Sequence, residues 1–492
     1  MKNLLITLIL LTLLTSCAPA VTPTPTQMPQ PSQTSMVSEQ AAAVMEASPT
    51  AEILPTETKK PKGQNQPAAP TSTSADFVAT EILGRPTDTS VTVNVIPAFN
   101  MDITITYGAM NGASQIVTAT GKANTPAEII LTNLTPDTSH FYTVNNGTQH
   151  TFHTARAAGS TFTFAIQGDS HPERTKNQFD PNLYTKTLLS AAAIEPDFYI
   201  TIGDDFSVDT LKDVNPQTVT QLYINQRQWL GLVDAPVFLV NGNHEQASLA
   251  NYDGTPNNVS VWAQTSRNAY YPQPAPDAFY TGNPEPLEHI GLLRDYYAWT
   301  WGDALFIVID PYWHSPQTVD NQFGADRNQK QDRDLWNVTL GDAQYAWFKQ
   351  TLETSNAKYK FVFTHHVLGT GRGGIENALK FEWGDAKNLA AYRPGWEKTI
   401  HQLMVDNGVT IFFQGHDHIF VKQELDGVIY QSLPEPGNPF YSWENEDAYK
   451  SGDKFPNSGH VRVTVSPDGV TVDYVRTYLD KPDEVAFSYT VK

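Results

Sequence analysis

Five short apolar runs each end in a loop that carries histidine, aspartate or asparagine. Residues 162–166 lead into Gly168-Asp169-Ser170-His171, residues 197–202 into Gly203-Asp204-Asp205, and residues 236–240 into Asn241-Gly242-Asn243-His244-Glu245. Residues 360–364 end in His365-His366, and residues 409–413 in Gln414-Gly415-His416-Asp417-His418. Runs of this length and composition read as buried strands, and glycine lets a chain turn sharply at its end. Asp169 and His171, two residues apart, put a hard carboxylate oxygen and an imidazole on one loop. Sites in open α/β sheets assemble beyond the carboxyl ends of the strands, so five such loops are expected to converge. Carboxylate oxygen, imidazole nitrogen and amide oxygen together make a donor set suited to transition metals.

The elements that must position these loops follow from periodicity. From residue 161 onward, strand-like runs alternate with helical spacing at 183–194, 218–232, 342–353 and 396–407. That alternation is the signature of an α/β fold. Residues 246–297 are long, weakly periodic and rich in Pro, Asn, Asp and Tyr, as functional insertions commonly are. The aromatics there (Trp262, Tyr270, Tyr271, Tyr280) suit either packing or stacking on a substrate ring. Residues 304–309 form a further buried strand ending at Asp310, which reads as structural, and residues 461–465 and 470–477 close the chain as a hairpin.

In their order, Asp-x-His, Gly-Asp, Gly-Asn-His-Glu, His-His and Gly-His-x-His resemble the calcineurin-like metallophosphoesterase superfamily, from Phe162 to the C-terminus. The resemblance implies a β-sandwich flanked by helices, α/β (α+β) in class, and hydrolysis of phosphate esters at two transition-metal ions (Zn, Mn or Fe). Metal pairs of this kind, about 3.5–4 Å apart, activate water and screen phosphoryl charge. By resemblance, one ion takes Asp169, His171 and His418, and the other Asn243, His365 and His416. Asp204 bridges them, a bridging hydroxide is the nucleophile, and His244 stabilises the transition state or protonates the leaving group. Neighbours in a strand face opposite ways, and family usage favours His365 over His366. Asp205, Glu245 and Asp417 are candidates for holding the imidazoles in the right tautomer. Arg372, set between Gly371 and Gly373, is the candidate for gripping substrate phosphate, with Arg267 and Arg393 behind it. Purple acid phosphatases have a tyrosine where this chain has Ser207, which argues against a ferric tyrosinate site.

Ahead of that region, residues 76–158 contain short alternating runs at 90–96, 102–107, 114–119, 127–131, 140–144 and 148–154, the pattern of an all-β sandwich. Residues 134–142 resemble the loop-to-strand corner of fibronectin type III domains, with His140 in the usual tyrosine position, and the sandwich is also similar to the N-terminal domain of purple acid phosphatases. That similarity favours monoesters slightly. Diester, nucleotide or pyrophosphate hydrolysis, and a non-catalytic surface binding module, are the alternatives. Met1-Lys2 followed by the apolar residues 4–14 reads as a targeting segment, and Leu14-Thr15-Ser16-Cys17 resembles a bacterial lipoprotein box. The expectation is a signal over 1–17, a lipid anchor on Cys17 outside the cytoplasm, a disordered Pro/Thr/Ser-rich stalk over 18–75, the sandwich over 76–158, and the metallophosphoesterase domain over 159–492. Cys17 is the chain's single cysteine, so no internal disulfide forms. With 52 acids against 32 bases the net charge is −20, which argues against a nucleic-acid polymer as partner. A small phosphate ester met by two cations is compatible with it.

Overall fold

The computed structural model describes residues 74–247, 250–319, 334–367 and 371–492. Cys17, the targeting segment and the stalk up to residue 73 lie outside the described residues. Among the described residues no helix is long and apolar enough to cross a membrane.

The first layer pair is a seven-stranded sandwich. Ile82–Gly84, Val91–Val95 and Ala127–Leu131 make a three-stranded sheet, and Ser114–Gly121, Met101–Ala109, Ser139–Val144 and Gln149–His153 a four-stranded one. Alternation puts Val91, Val93, Val95, Ile103, Ile105, Ile129 and Leu131 into the shared core. Ile82–Gly84 is only three residues long and shows no alternation of its own. At the corner, the buried His140 ring does the work of a tyrosine. Its Nε2 lies 3.0 Å from the Thr135 carbonyl, and the ring stacks on Phe152 at 5.5 Å.

The remaining chain stacks two sheets face to face. The six-stranded sheet runs Val237–Leu239, Tyr199–Thr201, Phe162–Gln167, Gly459–Ser466, Gly469–Arg476, Glu484–Val491. The eight-stranded sheet runs Thr281–Gly282, Tyr297–Trp301, Ala304–Val308, Tyr359–Phe363, Ile411–Gln414, Val428–Ser432, Phe420–Leu425, Asp453–Phe455. Between them lies an aromatic core, with Phe164 and Phe198 packed edge-on against Phe306 at 5.3 and 5.1 Å. Helices cover the outer faces. Pro181–Ala192, Pro216–Leu230 and Val259–Tyr270 cover the first sheet, and Gly341–Thr354 and Ile400–Asp406 the second. Asp180 and Asn215 cap the first two helices, each followed by a proline that suits the first helical turn.

The segment 246–297 contributes the helix Val259–Tyr270, which buries Ser260, Gln264, Ser266 and Arg267. The same face buries Val261, Ala263 and Tyr270, which makes it an amphipathic helix set inside a segment otherwise rich in Pro, Asn and Asp. Tyr270, Tyr271 and Tyr280 are buried, and their role is packing.

Candidate metal centre

Strands Phe162–Gln167, Tyr199–Thr201 and Val237–Leu239 run parallel, as do Tyr359–Phe363 and Ile411–Gln414 in the facing sheet. Each loop with candidate ligands therefore leaves the carboxyl end of its strand. Glycines bring these loops within bonding distance of each other. A Cβ on Gly242 would lie 2.2 Å from Asp204 Oδ1, and one on Gly415 would lie 2.4 Å from Asp169 Oδ1. His171, Asp204, His416 and His418 all adopt positive φ, from 42° to 66°. Such backbone is strained for non-glycine residues and collects at functional sites. Asn243 and His244 sit in a single π-helical turn, Asn243–Ala247, another local feature frequent at such sites.

The seven candidate ligands are all buried, and six of them, Asp169, His171, Asp204, His365, His416 and His418, come within ligating distance of one another in two groups. Asp169 Oδ2 lies 3.0 Å from His418 Nε2 and 3.7 Å from His171 Nε2. Asp204 Oδ2 lies 3.0 Å from His365 Nε2, which is 3.3 Å from His416 Nδ1. Two clusters with metal-ligand spacing result, Asp169/His171/His418 and Asp204/His365/His416, and Asp204 also groups with His171 and His244. The other oxygens of both aspartates tie the loops together: Asp169 Oδ1 accepts the His416 amide and Asp204 Oδ1 the His244 amide, each at 2.8 Å.

A metal pair fits this donor set. His171 Nε2, His416 Nε2 and both amide atoms of Asn243 are buried without a hydrogen-bond partner among the described residues, an expensive condition for polar atoms unless a cation engages them. Burial, with Arg174 and His418 nearby, holds His171 in its neutral form, and burial with His366 and Arg372 nearby does the same for His416. A neutral imidazole is the form that ligates. Burial opposes a charge on His365 and His418 too. Asp204 and Asp169 nevertheless lift His365 to about 10, and Glu435 and Asp169 lift His418 to about 9. The two carboxylates thus favour positive charge at the centre.

The imidazoles are oriented by groups other than the expected ones. His171 Nδ1 faces Glu173 Oε1 at 3.0 Å and Ser207 Oγ at 3.3 Å. His418 Nδ1 faces Glu435 Oε1 at 3.1 Å, and His365 Nδ1 donates to the Ile202 carbonyl at 2.8 Å. Asp205, Glu245 and Asp417 brace the loops instead. Glu245 accepts the amides of Gly242 at 2.6 Å and Asp205 at 3.0 Å. Asp205 accepts from Gln167 and Ser170, and Asp417 from the Gly373 amide and the Tyr449 hydroxyl. Adjacency to a ligand in sequence misled here, because a neighbour in a tight loop points away from the centre. His365 and His366 diverge: His366 Nδ1 meets the Tyr312 hydroxyl at 3.0 Å. Asp310 receives the Asn241 amide at 2.6 Å, a structural bond.

His244 stands beside the two clusters. Its Nδ1 lies 2.8 Å from Asp209 Oδ1, and its Nε2 lies 4.0 Å from Asp204 Oδ2. Burial disfavours its charge, but Asp204 and Asp209 outweigh that and raise its pKa. Arg174 Nη2 approaches His244 Nε2 at 3.4 Å. Arg174 was not singled out from sequence, though it follows His171 by three residues on the same loop. Arg372 is placed at the rim, bonded to the His416 carbonyl and 3.4 Å from Asp417 Oδ1. Arg267 is buried against backbone carbonyls, and Arg393 is paired with Glu382 at 2.7 Å. Both are structural.

A family model of the calcineurin-like phosphoesterases matches residues 162–420. Among solved structures, that of PhoD is similar with a TM-score of 0.60 at 14% identity, over 86% of this chain and 91% of that one. GAP50, the anchor in the inner membrane complex of Plasmodium, gives a TM-score of 0.38 at 14% identity, over 67% of this chain and 88% of that one. A putative 5′-nucleotidase from Staphylococcus aureus gives 0.33 at 17%, over 67% and 56%. No curated protein matches the chain. The matched residues begin at the strand that carries Asp169 and end just past His418, and the chain belongs to the calcineurin-like phosphoesterase family of metal-dependent phosphoric ester hydrolases.

Proposed function

We propose that the chain is an exported hydrolase of small phosphate esters, monoesters first, held at a membrane by lipid on Cys17. The observation that carries the catalytic reading is the meeting of Asp169, His171 and His418 with Asp204, His365 and His416 at one buried point. Asp204 belongs to two of the groups that could hold a metal, which suits a bridging ligand, and Asn243 completes the set. When bound, a pair of transition-metal ions supplies a water nucleophile at neutral pH and neutralises phosphoryl oxygens. The chain's own residues do the rest. Asp169 and Asp204 fix the two sub-sites relative to each other through their bonds to the His416 and His244 amides. His244, with Nδ1 held by Asp209, offers Nε2 to donate a proton to the departing ester oxygen. The export and anchoring part rests on the targeting segment and on Cys17.

The test takes the soluble part starting near Asp76. Its bound metal is measured, and p-nitrophenyl phosphate is compared with bis(p-nitrophenyl) phosphate for wild type, Asn243→Ala and His244→Ala. Two metals per chain, a monoester preference, and a loss of at least about 100-fold in kcat in both variants support the reading. Neither metal nor turnover favours a surface binding module. In cells, Cys17→Ser is expected to release the full chain from the membrane fraction, and its retention there would overturn the anchor.

A further inference from the structure

We infer that Arg174 grips a non-bridging phosphoryl oxygen of the substrate and so sets the preference for monoesters over diesters. This rests on the hydrolase reading above and assigns its specificity. Arg174 is pinned as few loop residues are. Its amide donates to the His171 carbonyl at 3.0 Å, and its own carbonyl accepts the amides of Asn177, Gln178 and Phe179 at 3.0–3.1 Å. Its guanidinium is braced as well: Nη1 bonds Gln178 Oε1, and Nε lies 3.3 Å from Glu173 Oε1. Glu173 Oε1 also holds His171 Nδ1, so the cation and that imidazole share one anchor. The remaining nitrogen of the fork, Nη2, lies 3.4 Å from His244 Nε2, beside the imidazole read above as the proton donor. The side chain is 24% exposed, so it is open to solvent while the histidines beside it are buried. Arg372 lies on the other side of the centre, with Nη1 on the His416 carbonyl and 3.4 Å from Asp417 Oδ1, and among the described residues no contact ties it to His244.

The chemistry follows from charge. A monoester dianion has three anionic oxygens. A diester has two, with an ester oxygen, a poor acceptor, in the third place. A preorganised guanidinium forms strong charge-assisted bonds to an anionic phosphoryl oxygen. It therefore stabilises the monoester, whose charge stays spread over three phosphoryl oxygens in a loose transition state, more than the diester.

The experiment compares the metal-loaded full chain with Arg174→Ala and Arg174→Lys. It measures kcat/KM on p-nitrophenyl phosphate and bis(p-nitrophenyl) phosphate, binding of inorganic phosphate by calorimetry, and metal content. Arg174→Ala is expected to lose about 100-fold on the monoester, at least about tenfold more than on the diester, and to bind phosphate about tenfold more weakly at unchanged metal content. Arg174→Lys, which keeps the charge but not the fork, shifts the same readouts in the same direction by less. Equal losses on the two esters, or phosphate binding as tight as in wild type, would overturn the assignment. Wild-type protein that hydrolyses neither ester would instead overturn the hydrolase reading on which it rests.

Discussion

Asp209 Oδ1 and His244 Nδ1 are 2.8 Å apart, and that bond decides what His244 can do. An imidazole has two nitrogens, and the bond made by one fixes the role of the other. With Nδ1 held by a carboxylate, Nε2 is left facing Asp204 and the phosphoryl position. Asp209 lies in the short 3₁₀ turn Val208–Thr210, on the loop that follows Asp204. His244 is therefore aimed by the loop that also supplies the shared carboxylate. Replacing Asp209 by Ala leaves the two metal clusters intact and removes only the aim. The expected result is a fall in kcat of about tenfold, smaller than that of His244→Ala, with KM and bound metal unchanged. Steady-state kinetics with metal analysis checks this, and a metal-depleted variant would mean that Asp209 supports the clusters rather than the imidazole. The strained backbone at His171, Asp204, His416 and His418 belongs to the same account. Each left-handed residue costs on the order of 1 kcal/mol, and bonds such as Asp169 Oδ1 to the His416 amide hold it in place.

At the scale of elements, the site depends on how closely strand ends approach. Gly242 shows this best, since a Cβ there would meet Asp204 Oδ1 at 2.2 Å, the Asp204 amide nitrogen at 2.4 Å and Glu245 Oε2 at 2.8 Å. The first two cannot retreat without moving a ligand or a backbone, and the third not without releasing the Gly242 and Asp204 amides. Gly242→Ala is expected to destabilise the fold by about 1–3 kcal/mol and to lower metal occupancy. Denaturant titration and metal analysis together check it, and full occupancy would show that the loops can separate. The five ligand-bearing strands were legible in the sequence because each pairs an apolar run with an abrupt Gly- or His-bearing end. The Val259–Tyr270 helix was not, because it lies within a segment dominated by Pro, Asn, Asp and Tyr and its buried face interleaves Val261 and Ala263 with Gln264 and Arg267, which bond to backbone carbonyls. The groups that aim the imidazoles were hidden for a different reason. Glu435 reaches His418 from the loop after Val428–Ser432, a proximity set by the pairing of that strand with both Ile411–Gln414 and Phe420–Leu425. Asp205 and Asp417 adjoin ligands in sequence, yet they turn toward Ser170 and Tyr449. Local spacing shows which residues can ligate, and packing decides which residues support them.

Within the described residues, the N-terminal sandwich is joined to the helices behind the first sheet by a bonded seam. Arg227, buried on the helix Pro216–Leu230, donates to the carbonyls of Thr80 at 2.9 Å, Asn94 at 2.6 Å and Tyr270 at 2.6 Å, and to the Asn94 side chain. At the edge of this seam His150 bridges the two parts, with Nε2 3.1 Å from Glu81 Oε1 and Nδ1 2.6 Å from Asp234 Oδ1. Burial disfavours the imidazolium, but the bonds to Asp234 and Glu81 outweigh it and lift His150 to about 10. A group whose pKa rises on folding stabilises the fold fully below its unfolded value, about 6.5, and that contribution fades as the pH climbs to about 10. On the acid side the same bridge weakens as Glu81 protonates. Its folded pKa lies below the ordinary value, since the bond from His150 outweighs burial, so the loss comes as the pH falls through about 4.5 and below. Asp234 is partly exposed, which reduces what its half of the bridge contributes. His150→Gln is therefore expected to cost about 1–2 kcal/mol near pH 6 and almost nothing above about pH 10. The chain carries a net charge of −20, so alkaline pH weakens the wild-type fold by self-repulsion as well. The difference between wild type and variant, followed by urea unfolding across the pH range, cancels that background. A difference that stays constant from pH 6 to pH 10 would show that His150 acts at this seam by packing and not by charge.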